Sequence, residues 1–133
     1  MRPMSEILSD ALASFEGGKR WMRGTLYPDH KENHGKAFHD ELQEADRYCA
    51  YGAIFKTMTA HGELVDNPFT GKSYGDPIVS QVEKLLAPPG RMVVSMNDSA
   101  TSFKEVKQMF CAGIKRALAE EQQEAIGQDD PAT

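Results

Sequence analysis

From residue 48 to residue 58 the chain reads Tyr-Cys-Ala-Tyr-Gly-Ala-Ile-Phe-Lys-Thr-Met. Advanced by the helical 100° per residue, its small and apolar groups point almost all the way round. Just before it, Gln43, Glu44, Asp46 and Arg47 still mark a wet side. A helix that is apolar all round belongs inside a protein. The pattern therefore predicts a central buried helix over residues 40–60, ended by His61-Gly62 with Gly62 as the left-handed residue past the end. Gly52 inside that helix costs about 1 kcal/mol relative to alanine, which calls for a compensation such as close approach of another backbone.

The flanking patterns are simpler. Ile7, Leu8, Ala11, Leu12 and Phe15 form one apolar stripe and predict a helix over residues 4–16, with Ser5 as cap and Gly17-Gly18 as stop. Residues 19–27 alternate loosely and read as an extended segment anchored by Trp21. Residues 28–39 and 63–75 are polar and punctuated by glycine and proline, hence loops. Asp76-Pro77 opens a helix whose buried stripe is Ile78, Val79, Val82, Leu85 and Leu86, and Pro88-Pro89-Gly90 ends it. Residues 92–96, with Val93-Val94 in the middle, read as a short strand, and residues 97–100 as a turn. A last helix starts near Thr101 or Ser102, where Ser102 and Glu105 have capping-box spacing. It turns Phe103, Val106, Phe110, Gly113, Ile114 and Ala117 inward. The expected fold is mainly α, four principal helices around the buried central one, with a short strand or a two-stranded element pairing residues 21–27 and 92–96. One domain over residues 1–126 and a flexible tail over 127–133 complete the expectation.

Composition narrows the function classes. A chain of 133 residues fits a single domain. A net charge of −5 makes nucleic acid an unfavoured partner. No apolar run approaches the roughly 20 residues needed to cross a bilayer. Residues 1–6 lack an export signal, so a cytoplasmic location is expected. Cys49 and Cys111 both fall on predicted apolar faces and read as reduced, buried thiols.

Four groups of residues carry candidate chemistry. Cys49 with His39 or His61 as base and Asp98 as orienting group would make a cysteine nucleophile. Against this, Cys49 sits about nine residues into the predicted helix, beyond the turn where the dipole acts, among apolar neighbours that favour packing. His30, His34 and His39 with nearby carboxylates suit zinc or iron in type, but a solvated loop is the preferred reading, since loop polarity alone explains them, and no metal or cofactor is expected. Asn97-Asp98 offers an acid, base or ligand, or simply turn and cap chemistry. Lys19, Arg20, Trp21, Arg23 and Tyr27 form a basic cluster with aromatics, a weak signal in an acidic protein.

Three of these pieces line up. Trp21-x-x-Gly24, Cys49-Ala-x-Gly52-Ala53, and Asn97-Asp98 followed by Thr101 and Val106 together resemble a family of small, functionally uncharacterised domains of bacteria and their phages. The likeness spans the first helix to the last, and residues 62–77 depart from it. It implies no activity, and since the histidines lie outside the pattern it does not carry over a Cys–His mechanism. It does single out Trp21, Gly24, Cys49, Gly52, Asn97 and Asp98. The reading that follows is a non-enzymatic binding or interaction module of phage or mobile-element descent, acting on an unknown protein or small molecule, with a homo-oligomer left open. Its binding residues would be Trp21, Arg23, Gly24, Asn97 and Asp98. The alternative is a small hydrolase or transferase using Cys49.

Overall fold

A computed structural model of the chain describes residues 1–27, 35–69 and 77–128. Among them are six α-helices: α1 (Met4–Ser14), α2 (Gly35–Glu44), α3 (Ala50–Ala60), α4 (Pro77–Leu86), α5 (Val93–Ser99) and α6 (Phe103–Gln128). A 3-10 turn, Glu16–Gly18, follows α1, with Gly17 and Gly18 at positive φ where the chain reverses. The protein is mainly helical, and no helix among the described residues is long and apolar enough to cross a membrane.

The apolar segment forms α3, and it is the hub. α1, α2 and α5 all pack against it, while α6 packs on α1 and α4. Tyr51, Ala53, Ile54, Phe55 and Met58 are buried to 1% exposure or less, which is what an all-round apolar helix requires. Phe15 joins α1 to α6 through edge contacts with Phe103 and Phe110, and Tyr51, Phe55 and Phe69 form a second aromatic group. The N-terminus is tied down by Arg2, whose guanidinium reaches Glu63 at 2.7 Å and Asp10 at 2.6 Å.

Several expectations are corrected. The single helix over residues 40–60 is two, broken at residues 45–49. Backbone donors there leave the helical ladder for the segment after α1. Tyr48 N–H donates to the Arg20 carbonyl at 2.8 Å, Cys49 N–H to the Leu26 carbonyl at 3.2 Å, and Met22 N–H returns to the Tyr48 carbonyl at 3.1 Å. This makes Trp21 and Tyr48 a parallel bridge, the only β pairing among the described residues. Residues 92–96 are therefore no strand, and no two-stranded element joins them to residues 21–27: α5 begins at Val93 and its last turn contains Asn97 and Asp98. Gly35 to His39 belong to α2 rather than to a loop. Cys111 is exposed on α6, off the stripe of Val106, Phe110, Gly113 and Ala117. The start of α6 matches its expected capping box in one direction. The Glu105 carboxylate accepts from the N–H of Ser102 at 3.3 Å and from Thr101. That helix runs to Gln128. His30, His34, residues 70–75 of the second expected loop, Asp76 and residues 129–133 lie outside the described residues.

Candidate functional site

Breaking the apolar segment moves Cys49 from mid-helix to the N-cap of α3. Its backbone is extended, with φ −82° and ψ −175°, and its sulfur accepts the Gly52 N–H at 3.4 Å. Two residues of one motif thus serve one cap. Gly52 has a second role. A Cβ built on it would stand 2.2 Å from the Leu26 carbonyl oxygen and 2.7 Å from Tyr48 Cβ, so the extended segment crosses α3 where only glycine leaves room.

Asn97 holds the same junction from the other side. Its Oδ1 accepts from Trp21 Nε1 at 2.9 Å and from the Ala50 N–H at 3.1 Å. Its Nδ2 donates to the Met22 carbonyl at 3.2 Å and to Asp98 Oδ1 at 3.0 Å. Asp98 Oδ1 also receives the Gly24 N–H at 2.9 Å, with Gly24 at φ +92°. Arg23 lies over the Trp21 ring, 5.4 Å from its centroid, and donates to the Ala100 carbonyl at 3.1 Å. The structure therefore brings together Trp21, Arg23, Gly24, Cys49, Gly52, Asn97 and Asp98, which come from three distant stretches of chain. In the basic cluster, Arg20 is engaged with Glu16 and Tyr27 donates to Glu41 at 2.9 Å.

Beside this knot is a cavity of about 250 Å³. Gly24, Thr25 and Leu26 form one wall, and Cys49, Ala50 and Tyr51 a second at the start of α3. Asn67 and Phe69 close a third side, and Val93, Val94, Asn97 and Asp98 on α5 the fourth. The last four residues sit at i, i+1, i+4 and i+5, a helical face. Sequence reasoning missed Asn67, Phe69 and the two valines as cavity residues. Asn67 reads as a turn residue, which it also is: its Oδ1 accepts the Phe69 N–H at 2.9 Å.

Burial dominates the electrostatics of Cys49. Burial pushes its thiol up to about 11; the N–H groups of Gly52 and Tyr51 aimed at the sulfur pull it down by less, and Asp98 adds to the rise. Position at a helix start lowers a thiol's pKa only where the sulfur keeps solvent or a cation beside it. Here desolvation dominates. Tyr51 is raised as well, first by burial and then by its hydrogen bond to the Glu83 carboxylate. Neither candidate base reaches the sulfur. His61 is the C-cap of α3, so its eleven residues, about 16 Å at 1.5 Å each, separate it from the N-cap Cys49. His39 is part of α2, half exposed with Nδ1 3.3 Å from Asp40, and lines no part of the cavity. No group of three or more His, Cys, Asp or Glu side chains among the described residues could hold a metal.

Fold and site together define a small, mainly helical protein whose sequence motifs knot three segments beside an apolar cavity. The chain belongs to a family of unknown function, DUF6197, which matches residues 1–116. No curated protein and no solved structure matches it.

Proposed function

We propose that the protein is a cytoplasmic, non-enzymatic binding module whose site is the cavity between residues 24–26, the start of α3, Asn67 with Phe69, and α5. The observation that carries this reading is the convergence of Gly24, Cys49, Asn97 and Asp98 on the wall of one mainly apolar cavity, with Trp21 donating to Asn97. Concave, largely apolar sites with a few fixed polar groups suit small ligands. Arg23 and Trp21 brace the wall, and Asp98 stands at its solvent side. Free thiols at Cys49 and Cys111 suit a reducing compartment.

One observation favours the enzyme alternative: Cys49 is an N-cap residue facing a cavity, which is where nucleophilic cysteines sit. The missing base and the raised thiol pKa weigh more, because the attacking species is the thiolate. Val94 lines the cavity yet is 44% exposed, so Val94→Trp would fill the mouth without disturbing the core. Ligand-observed NMR with a library of small aromatic and aliphatic fragments tests the reading. Fragments that bind the natural chain and are lost from Val94→Trp support it. A library with no binders, or binders indifferent to that substitution, overturns it.

A further inference from the structure

Resting on that reading, we infer that the cavity takes a small organic cation, an apolar body carrying one ammonium group, and that Asp98 Oδ2 receives the ammonium with the Thr25 hydroxyl as a second acceptor. No lysine, arginine or histidine lines the cavity, and its titratable side chains are Cys49, Tyr51 and Asp98. Burial first of all holds the Cys49 thiol and the Tyr51 phenol in their protonated, uncharged forms. The Asp98 carboxylate is thus the one formal charge of the wall. It is exposed, in the last turn of α5, where a charged group keeps part of its hydration while an apolar body enters the cavity.

The carboxylate is also held ready. Its Oδ1 accepts from the Gly24 N–H at 2.9 Å and from Asn97 Nδ2 at 3.0 Å, which fixes the group, while Oδ2 accepts from none of the described residues. A group already fixed loses little freedom when a ligand arrives. Asp98 has no ion pair among the described residues; Arg23 is engaged with the Trp21 ring and the Ala100 carbonyl instead. The Thr25 hydroxyl in the same wall has no partner among the described residues either. It stays reachable, since the enclosed and unpaired side-chain polar atom among those residues is Asn67 Nδ2 alone. An anion is disfavoured: the Cys49, Ala50 and Gly52 N–H groups at the start of α3 are taken by the Leu26 carbonyl, Asn97 Oδ1 and the Cys49 sulfur, and Asp98 would repel it. Leu26, Phe69, Val93 and Val94 supply the apolar surface, and about 250 Å³ is at the small end of ligand sites.

Benzylamine and benzyl alcohol, alike in shape and differing in charge at neutral pH, are the probes. Titrations at low salt follow the methyl signals of Leu26, Val93 and Val94, which separates binding in the cavity from loose attraction to an acidic protein. The natural chain is expected to bind benzylamine about fivefold more tightly than benzyl alcohol, the upper end of what a solvent-exposed ion pair contributes. Asp98→Asn keeps an oxygen to accept from Gly24 and Asn97 and removes the charge, so there the preference should vanish. Benzyl alcohol binding as tightly as benzylamine in the natural chain, a comparison that needs no variant, overturns the inference while leaving the cavity a binding site. So does a preference that survives in Asp98→Asn. If neither compound moves the methyl signals at millimolar concentration, the inference and the binding reading fall together.

Discussion

Replacing Gly52 with alanine should destabilise the protein, although the general rule for a helix interior says the opposite. Alanine gains about 1 kcal/mol of helix propensity over glycine. At this position the new Cβ meets the Leu26 carbonyl oxygen at 2.2 Å and the Leu26 carbonyl carbon at 3.1 Å. Relieving the first contact needs a displacement of about 1 Å between two backbones, and overpacking of this kind costs about 1–3 kcal/mol. The displaced carbonyl is the acceptor for Cys49 N–H, so about 1 kcal/mol of hydrogen bonding is lost with it. The net is a loss of about 1–3 kcal/mol, or a fall in Tm of roughly 4–12 °C for a domain of this size. Gly113→Ala is the control. Its Cβ would meet the Leu86 Cδ2 methyl at 2.2 Å, but that is the end of a rotatable side chain, and the nearest backbone atom is at 3.3 Å. Its loss should be the smaller of the two. Urea unfolding followed by fluorescence of Trp21, the single tryptophan, measures both. A Gly52→Ala protein as stable as the natural chain, or more so, would refute the crossing of α3 by the extended segment.

Two other perturbations test the scaffold. Asn97→Leu leaves Trp21 Nε1, the Ala50 N–H and the Met22 carbonyl without their partner, and a loss of about 3–5 kcal/mol in urea unfolding is expected; a change below about 1 kcal/mol would contradict the knot. Arg2 holds the Glu63 carboxyl below its usual range, through its hydrogen bonds first. With a lowered folded value, the contribution is fully present above the unfolded Glu value of about 4.3 and is lost as pH falls through the folded one. The Tm advantage of the natural chain over Glu63→Gln should therefore be largest near pH 6–7 and shrink on acidification below about pH 4.3; an advantage that is flat or grows toward low pH would contradict it.

The fold was legible wherever one periodicity governed. The stripes of α1, α4 and α6 follow the helical repeat, and their buried residues come largely as the pattern predicts. The need for a backbone crossing at Gly52 was also legible, because a glycine in an apolar helix has few other reasons to be there. The break before α3 was not. Residues 45–49 contain no glycine or proline, and cysteine is too weak an acceptor to signal a cap. The cause is tertiary: the N–H groups of Tyr48 and Cys49 find carbonyls in a segment more than twenty residues earlier. At α5 the β-branched pair Val93-Val94 pointed to a strand, and tertiary packing overrode that preference. The clue was the i, i+4 spacing of Val93 with Asn97, both buried. For the site, the motif residues could be singled out, but the cavity and Asn67 could not, since both depend on how residues 64–69 fold back against α3.

The proposed binding role requires Cys49 to be a protonated wall of the cavity and not a nucleophile. Alkylation by iodoacetamide, followed by mass in a Cys111→Ser background from pH 6 to pH 10, tests it most directly. With the thiol near 11, the rate should be far below that of the exposed Cys111 in a Cys49→Ser protein and should keep rising with pH, without a plateau, up to pH 10. A rate that matches Cys111, or levels off with a midpoint near neutral pH, would contradict the account and restore the cysteine to the chemistry.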